Sequence, residues 1–224
     1  VGDSHLLALT NTGLVLAWGE NSAGQLADGT LTQRAYPVYV RSNSQTMIGN
    51  ITSIAARGAA SIAVRSDGRV LGWGSTLIAA PFDEDTDDTT TIDRSEASYA
   101  KALSDGEGHA ITNIRRIALG YSHMLGLTLD GRVNGWGSNS NGQLGDGTNF
   151  TVSGTSTVKM SNGQPLRNVS EIAVGSIHSI ALLHDGQVLT WGSGENGRLG
   201  DGTNIDSYYA VNARDINNNP FLLY

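Results

Sequence analysis

The 224 residues include no cysteine, which excludes a disulfide framework and a metal site built on thiolates. The net charge of −7 arises from 21 acidic and 14 basic residues, and residues 81–110 carry the whole excess, with nine acidic and two basic side chains. The remaining residues are neutral as a set and offer no basic face to nucleic acid. No apolar run approaches the roughly 18 residues that indicate a membrane span.

The first repeat, residues 1–49, begins at Val1 without the first strand of the pattern described below. Its strands lead to Trp18, and a tail rich in turn residues follows as far as Thr30. After this tail, Tyr36 to Val40 is predicted to be extended, because it is rich in residues that favour strands.

The second repeat, residues 50–112, keeps the strand pattern but departs from it at three places. Arg57 and Ala60 stand where the other repeats have glycine and histidine. The tail after Trp73 is replaced by a longer stretch that contains the acidic insert, residues 81–110. Within this stretch, residues 95–103 read Ser-Glu-Ala-Ser-Tyr-Ala-Lys-Ala-Leu, a composition that favours a short helix.

The third repeat, residues 113–167, shows the complete pattern. Short apolar runs at 117–119 and 123–128 predict two strands, and Asp130-Gly131 predicts a tight hairpin, because these residue types tolerate positive φ. The segment 132–136 returns as a third strand and ends at Trp136. The fourth repeat, residues 168–224, follows the same order.

These repeats are in phase over the whole chain. The four tryptophans are separated by 55, 63 and 55 residues, and each follows a hairpin glycine by five positions. A period of about 50 residues with no helical periodicity predicts an all-β propeller or array. A small sheet cannot bury both of its faces alone, so we expect neighbouring sheets to stack. The tryptophans are therefore predicted to be structural core residues: Trp18, Trp73, Trp136 and Trp191.

The repeat resembles that of the regulator of chromosome condensation family, which carries G-x-x-H, then D-G, then W-G-x-N-x-x-G-Q-L-G-x-G. The third repeat matches through Gly120, His123, Asp130-Gly131 and the segment from Trp136 to Gly147. The resemblance covers nearly the whole chain and implies a β-propeller with four repeat units present, organised as a single domain over residues 1–224.

The histidines of the Gly-x-x-His sequences are His5, His123 and His178. They occupy equivalent positions in separate repeats, so they need not converge on a metal or a reaction centre. We interpret them as structural residues that bond local backbone at the strand entry. Asp28, Asp146 and Asp201 end similar loops and lack the ligand pattern of a calcium loop, so turn capping is the better interpretation. We predict no metal and no cofactor.

The acidic insert is the largest departure from the repeat, and it is either a solvated loop or a binding element. As a binding element it would present a basic partner with a group of residues at its start: Phe82, Asp83, Glu84, Asp85, Asp87 and Asp88.

No catalytic motif is present, so the first functional hypothesis is a non-catalytic scaffold that binds a protein partner through its rim loops. Relatives of this kind include guanine-nucleotide exchange factors, an inhibitor of secreted lactamases and photoreceptor scaffolds. The narrower alternative is exchange on a small GTPase, although the projecting hairpin of such relatives has no match here. A third alternative is a secreted propeller that binds or acts on polysaccharide, which would need clustered carboxylates or aromatic residues in a cleft.

The number of blades and the compartment are less constrained. The family implies a ring of about seven blades, so we expect either a longer propeller or two copies that associate. The lack of cysteine fits a cytosolic or a secreted bacterial protein. The scarcity of lysine and the abundance of Asn, Ser and Thr favour an extracellular setting.

Overall fold

The computed structural model describes residues 1–74, 99–105, 107–151 and 154–223, and its strands form four antiparallel sheets. Sheet 1 contains β1 (His5–Leu9), β2 (Val15–Gly19) and β3 (Arg34–Tyr39). Sheet 2 contains β4 (Ile51–Arg57), β5 (Ala60–Arg65), β6 (Val70–Gly74) and β7 (Lys101–Ala102). Sheet 3 contains β8 (Ile114–Leu119), β9 (His123–Thr128), β10 (Val133–Gly137) and β11 (Ser156–Thr157). Sheet 4 contains β12 (Val169–Val174), β13 (His178–Leu183), β14 (Val188–Gly192) and β15 (Ser207–Asn212).

Each sheet is one repeat in which the strands follow each other in chain order, as expected for a propeller blade. Sheet 1 has three strands because its repeat begins at the second strand. The hairpin glycines predicted from the sequence all have positive φ, between 77° and 85°, at Gly13, Gly68, Gly131 and Gly186. The all-β propeller architecture predicted from the repeats is confirmed.

The chain forms two compact units, Val1–Ile117 and Ala118–Tyr224, and the boundary falls within β8. In the first unit, β1 lies against β4, and the core between sheets 1 and 2 includes Val15, Ile51 and Trp73. In the second unit, β9 lies against β12, and the core between sheets 3 and 4 includes Leu125, Val169 and Trp191. Within each unit the apolar face of one sheet is therefore buried by its neighbour.

One secondary-structure prediction is wrong. Residues 99–103, the described part of the predicted helix, contain strand β7, in which Lys101 pairs with Gly72 and Ala102 with Leu71. The open edge of β6 and the burial of Leu103, which is 6% exposed, outweigh the helical propensity of the alanines. The extended segment predicted at 36–40 corresponds to β3.

Candidate functional site

In the second unit, two kinds of loop lie side by side at one edge of each sheet. In sheet 3, Ser138 N, in the loop after β10, donates to Ser122 O in the β8–β9 link, at 2.8 Å. In sheet 4, Ser193 N donates to Ile177 O at 3.0 Å in the same arrangement. We call this edge the loop edge. It carries the segments that differ most from repeat to repeat, and such segments commonly form binding sites on rigid scaffolds.

The glycine of the Gly-x-x-His sequence is required because the histidine ring folds back over it. A Cβ built on Gly120 would lie 2.6 Å from His123 Nδ1, which is far inside normal contact distance. In the second repeat, Arg57 and Ala60 occupy these two positions. A side chain at the first position therefore accompanies the loss of the imidazole at the second.

The need for glycine three residues before the histidine can be tested at Gly175. The three atoms nearest to a Cβ added there all belong to the His178 ring. We expect Gly175→Ala to lower the free energy of unfolding by about 1–3 kcal/mol, the usual cost of overpacking. The double variant Gly175→Ala/His178→Ala should recover most of this loss in urea denaturation. Gly49→Ala is the control, because only Leu14 Cδ2, at 3.9 Å, lies near its added Cβ. A double variant no more stable than Gly175→Ala would contradict the relation.

The imidazoles of His5 and His123 each bond a hydroxyl in the following sheet. His123 Nε2 lies 2.9 Å from Ser179 Oγ, and Ser179 Oγ donates to Gln143 O at 2.8 Å. A hydroxyl has one hydrogen to donate, so His123 Nε2 is the donor to Ser179. Trp191 Nε1 donates to the same Gln143 oxygen at 2.9 Å. The histidine, the loop carbonyl and the next tryptophan thus form one joint between sheets 3 and 4.

The same joint occurs between sheets 1 and 2. His5 Nε2 lies 2.7 Å from Ser61 Oγ, and Trp73 Nε1 donates to Gln25 O at 2.9 Å. Burial lowers the pKa of His5, so the ring is neutral near neutral pH. The sequence interpretation placed these bonds on local backbone, whereas the partner is a serine in the next sheet. The signal that was missed is the serine directly after the histidine position in repeats two and four.

A buried asparagine organises the loop after each of two Trp-Gly pairs. Asn139 is fully buried, its Oδ1 accepts a hydrogen bond from Leu144 N at 2.9 Å, and its Nδ2 group faces Asp146, Thr148 and Phe150 O at 3.1–3.2 Å. Asn21 does the same in the first repeat. These loops are therefore held from inside, and their tips are fixed relative to the sheet.

The aspartates of the Asp-Gly-Thr sequences cap turns, as predicted. The backbone N–H of the threonine two residues on donates at 2.9 Å to Asp28, Asp146 and Asp201. Burial alone would raise the pKa of Asp146, but hydrogen bonds from Thr148, Ser156 and Asn139 outweigh it and hold the pKa below its ordinary value. The carboxylate is thus a structural acceptor rather than a proton donor.

Segments at the loop edge of the second unit expose apolar side chains. Tyr121 in the β8–β9 link is 72% exposed, and Phe150 and Ile205, at equivalent positions of the loops after β10 and β14, are 71% and 72% exposed. Exposed aromatic and aliphatic groups on a rigid surface are typical of protein interfaces. Sequence reasoning missed them because a single exposed apolar residue in a polar loop has no periodicity.

The residues predicted to bind a basic partner, Phe82 to Asp88, lie outside the described residues. What is described of the acidic insert is its C-terminal part. There Asp105 is 7% exposed, and its Oδ1 accepts hydrogen bonds from the backbone of Glu107 and His109 at 3.1 and 2.9 Å. Asp105, Glu107 and His109 bring ligand atoms within 4.8 Å of one another. The two backbone bonds show that this cluster forms a capped turn.

Trp73 and Trp191 occupy the joints between sheets rather than a cleft. Trp73, Trp136 and Trp191 are 6%, 2% and 0% exposed, whereas Trp18 in sheet 1 is half-buried. Among the described residues, His109 and His184 are exposed and lie apart from these joints. Within the described part of the chain, no helix has the length and apolar character needed to cross a membrane.

Comparison with known proteins places the repeats in a family. Two models of the Regulator of chromosome condensation (RCC1) repeat match the chain, one at residues 1–25, 114–143 and 169–198 and the other at 130–182 and 185–221. Together they cover more than half of the sequence. Protein pim1 of Schizosaccharomyces pombe is 30% identical over an alignment of 217 residues with gaps, and the match covers 91% of this chain and 38% of pim1.

Two solved structures share the fold. Human WBSCR16 superposes with a TM-score of 0.72 at 24% identity, over 96% of this chain and 52% of that chain. Prp20p from Saccharomyces cerevisiae, described with its binding properties to Gsp1p and histones, superposes with a TM-score of 0.64 at 22% identity, over 96% and 50%. The chain thus spans about two fifths to one half of the length of these proteins.

Proposed function

Because this chain belongs to the regulator of chromosome condensation repeat family, we propose that it is a non-catalytic propeller that binds a protein partner through its loops. The observation that carries the proposal is the exposure of Tyr121, Phe150 and Ile205 at the loop edge, where Asn139 holds the loop of Phe150 from inside. The rings of His5, His123, Trp73 and Trp191 form hydrogen bonds in the joints between sheets. Exposed apolar anchors on a rigid edge favour binding over catalysis.

The acidic insert supplies the second element of the proposal. Nine acidic and two basic residues at 81–110 would attract a partner with a basic surface and accelerate its association. Prp20p, which shares the fold, is described as binding histones, which are basic proteins, and Gsp1p. We therefore choose core histones and Gsp1p as probes.

Two sets of variants separate the contribution of the loop edge from that of the acidic insert in real-time binding measurements. In the loop-edge variant, Tyr121 and Phe150 become serine. Its control changes Leu129 and Leu223, which are exposed at the edge of the β9–β10 and β13–β14 hairpins. In the insert variant, amides replace the five carboxylates between Asp83 and Asp88. Its control makes the same change at five exposed acids elsewhere: Asp3, Glu20, Asp67, Asp185 and Glu195.

We expect the loop-edge variant to dissociate from the bound probe at least about tenfold faster, since buried aromatic anchors mainly set dissociation rates. The insert variant should associate more slowly and lose most of its dependence on salt. Both controls should match the parent. If neither probe binds, or if each variant matches its own control, the proposed binding elements are wrong.

The narrower alternative, guanine-nucleotide exchange, is tested with a small GTPase loaded with a fluorescent GDP analogue. If the chain is a scaffold, its addition should not accelerate release of the nucleotide. Accelerated release would favour exchange. A polysaccharide-directed role has less support, because Trp73 and Trp191 lie in inter-sheet joints and Trp136 is buried.

A further inference from the structure

In each repeat a hairpin of five residues follows the last strand of the sheet. The backbone N–H of its first residue donates to the carbonyl oxygen of its fifth at 2.8 Å, and a bridge between the two flanking residues closes the hairpin. We call these segments the outer hairpins, and they span 42–46, 105–109, 160–164 and 215–219. The four repeats therefore offer one backbone scaffold on which different side chains can be compared.

The outer hairpin of the second repeat carries a different chemistry from the other three. Its first, third and fifth residues are Asp105, Glu107 and His109, which supply two carboxylates and an imidazole. A mixed set of imidazole and carboxylate suits divalent transition metals such as Zn²⁺, whereas Ca²⁺ and Mg²⁺ take oxygen ligands. The other outer hairpins have no imidazole and at most one carboxylate at these positions, which hold Ser42, Ser44 and Thr46, Met160, Asn162 and Gln164, and Asp215, Asn217 and Asn219.

The distances between these three side chains match a tetrahedral metal shell. His109 Nδ1 lies 3.5 Å from Asp105 Oδ1 and 3.6 Å from Glu107 Oε2, and the three ligand atoms all lie within 4.8 Å of one another. Zn²⁺ bonds of roughly 2.0–2.2 Å place neighbouring ligand atoms of a tetrahedron roughly 3.3–3.6 Å apart. Both histidine distances exceed the usual N–H···O hydrogen bond of about 2.7–3.2 Å. The spacing therefore fits a shared metal ion better than a hydrogen-bonded ion pair.

Asp105 is the fixed member of the set. Its side chain is buried, and its Oδ1 accepts hydrogen bonds from the backbone N–H groups of Glu107 and His109 at 3.1 and 2.9 Å. Hydrogen bonds of this kind orient a carboxylate that ligates a metal. Asp215 accepts the two equivalent bonds in the fourth outer hairpin at 2.8 and 2.9 Å. Glu107 and His109 are exposed, so an ion from solution can reach the set and water can complete its shell.

We propose that Asp105, Glu107 and His109 bind one divalent transition-metal ion, with Zn²⁺ as the expected occupant. The ligands are one oxygen of each carboxylate, His109 Nδ1 and a water molecule. The surrounding charge also favours a cation, since nine acidic and two basic residues give the acidic insert, residues 81–110, a net charge of −7. Sequence analysis predicts no metal because ligands at alternate positions of a polar segment match no metal motif, and it is the hairpin that brings them together.

Isothermal titration calorimetry of the whole chain with ZnCl₂, after treatment with a chelator, tests the site. We expect one Zn²⁺ ion per chain and much weaker binding of Ca²⁺ and Mg²⁺. His109→Ala and Glu107→Gln, both at exposed side chains, should each weaken Zn²⁺ binding at least about tenfold, since even the groups that support metal ligands contribute that much. His184→Ala, at an exposed histidine in sheet 4, and the insert variant defined above should bind Zn²⁺ as the parent does.

The fourth outer hairpin allows the same site to be built on a matched scaffold. Asn217→Glu/Asn219→His supplies the two missing ligands beside Asp215, which already has the backbone bonds of Asp105. This double variant should bind two Zn²⁺ ions per chain, and one when it is combined with His109→Ala. Co²⁺ should show the intense visible absorption of tetrahedral coordination in the parent and lose it in His109→Ala.

Four results would overturn the proposal. The first is a parent chain that binds no Zn²⁺. The second is Zn²⁺ binding that His109→Ala leaves unchanged or that the insert variant abolishes. The third is equal affinity for Zn²⁺ and Ca²⁺, which would indicate an acidic surface only. The fourth is a double variant of the fourth outer hairpin that gains no second ion, because the hairpin geometry would then not be what creates the site.

Discussion

Replacing Trp191 by alanine is expected to lower the free energy of unfolding by about 3–5 kcal/mol, the usual cost of removing a large core side chain. Trp191 is fully buried, and its indole N–H donates to Gln143 O at 2.9 Å. Its ring also covers Gly145, so its loss opens a cavity between sheets 3 and 4 and leaves a carbonyl with one partner fewer. Urea denaturation followed by circular dichroism measures the loss.

One further variant separates the loss of buried apolar volume from the loss of the indole hydrogen bond, and a second serves as the control. Trp191→Phe keeps most of the apolar volume and removes the indole N–H, so we expect a smaller loss of about 1–2 kcal/mol. Trp18→Ala is the matched control, because Trp18 has the equivalent position in sheet 1 but is only half-buried, and it should lose less than Trp191→Ala. Trp136, which is 2% exposed, should behave like Trp191. A midpoint for Trp191→Ala equal to that of the parent would contradict a core role.

The repetition of the sequence explains why so much of the fold could be predicted. Tryptophan and hairpin glycine keep a constant spacing, and this spacing follows from one sheet geometry repeated four times. Positive φ at Gly131 and its equivalents could be anticipated because a tight hairpin requires it. Local chemistry also identified the caps at Asp28 and Asp146, since an aspartate and a threonine two residues on form a turn without outside help.

The joints between sheets were not predictable in the same way. His5 and Ser61 are 56 residues apart, as are His123 and Ser179, and local sequence does not reveal which side chain faces the neighbouring sheet. The role of two asparagines also could not be read from the sequence. Asn50 and Asn168 each begin an Asn-x-Ser/Thr triplet, the acceptor sequence for N-glycosylation. In the structure each has a left-handed backbone, with a φ near 60°, at the start of a repeat. Asparagine tolerates this conformation better than most residues, which gives both positions a structural explanation.

The candidate binding surface was the least predictable part. Charge identified the insert at once, because nine acidic residues in one segment are visible without a structure. The apolar tips Tyr121 and Phe150 became evident only from their exposure, since the same residue types in other positions are buried. The prediction that Phe82 to Asp88 contact a partner stays a prediction, as does the organisation of the chain as one domain.

Replacing Asn139 by alanine is expected to lower the free energy of unfolding by about 2–4 kcal/mol, because a buried N–H and a buried carboxylate each lose a partner. Leu144 N, in a fully buried residue, loses its acceptor Asn139 Oδ1, and Asp146 loses the amide donor at 3.2 Å. The amide also faces Phe150 O, so the loop tip that carries the exposed ring loses its internal support. We therefore expect weaker probe binding as well as lower stability, with faster hydrogen exchange in residues 139–150.

Asn139→Asp is the sharper form of this experiment. It keeps the acceptor for Leu144 N but replaces the amide donor by a second carboxylate next to Asp146, so near neutral pH it should cost more than alanine. The folded-state pKa of Asp146 lies below its ordinary value of 3.8, so its stabilising contribution is complete above that value and disappears as pH falls through the lower one. The added carboxylate reverses the direction of this pH dependence, because two adjacent carboxylates favour uptake of a proton. The loss of unfolding free energy in Asn139→Asp relative to the parent should therefore shrink as the solution is acidified. Ser140→Ala, at the exposed neighbouring position, should match the parent throughout. If Asn139→Asp were as stable as the parent at neutral pH, the buried amide would not be what holds the loop.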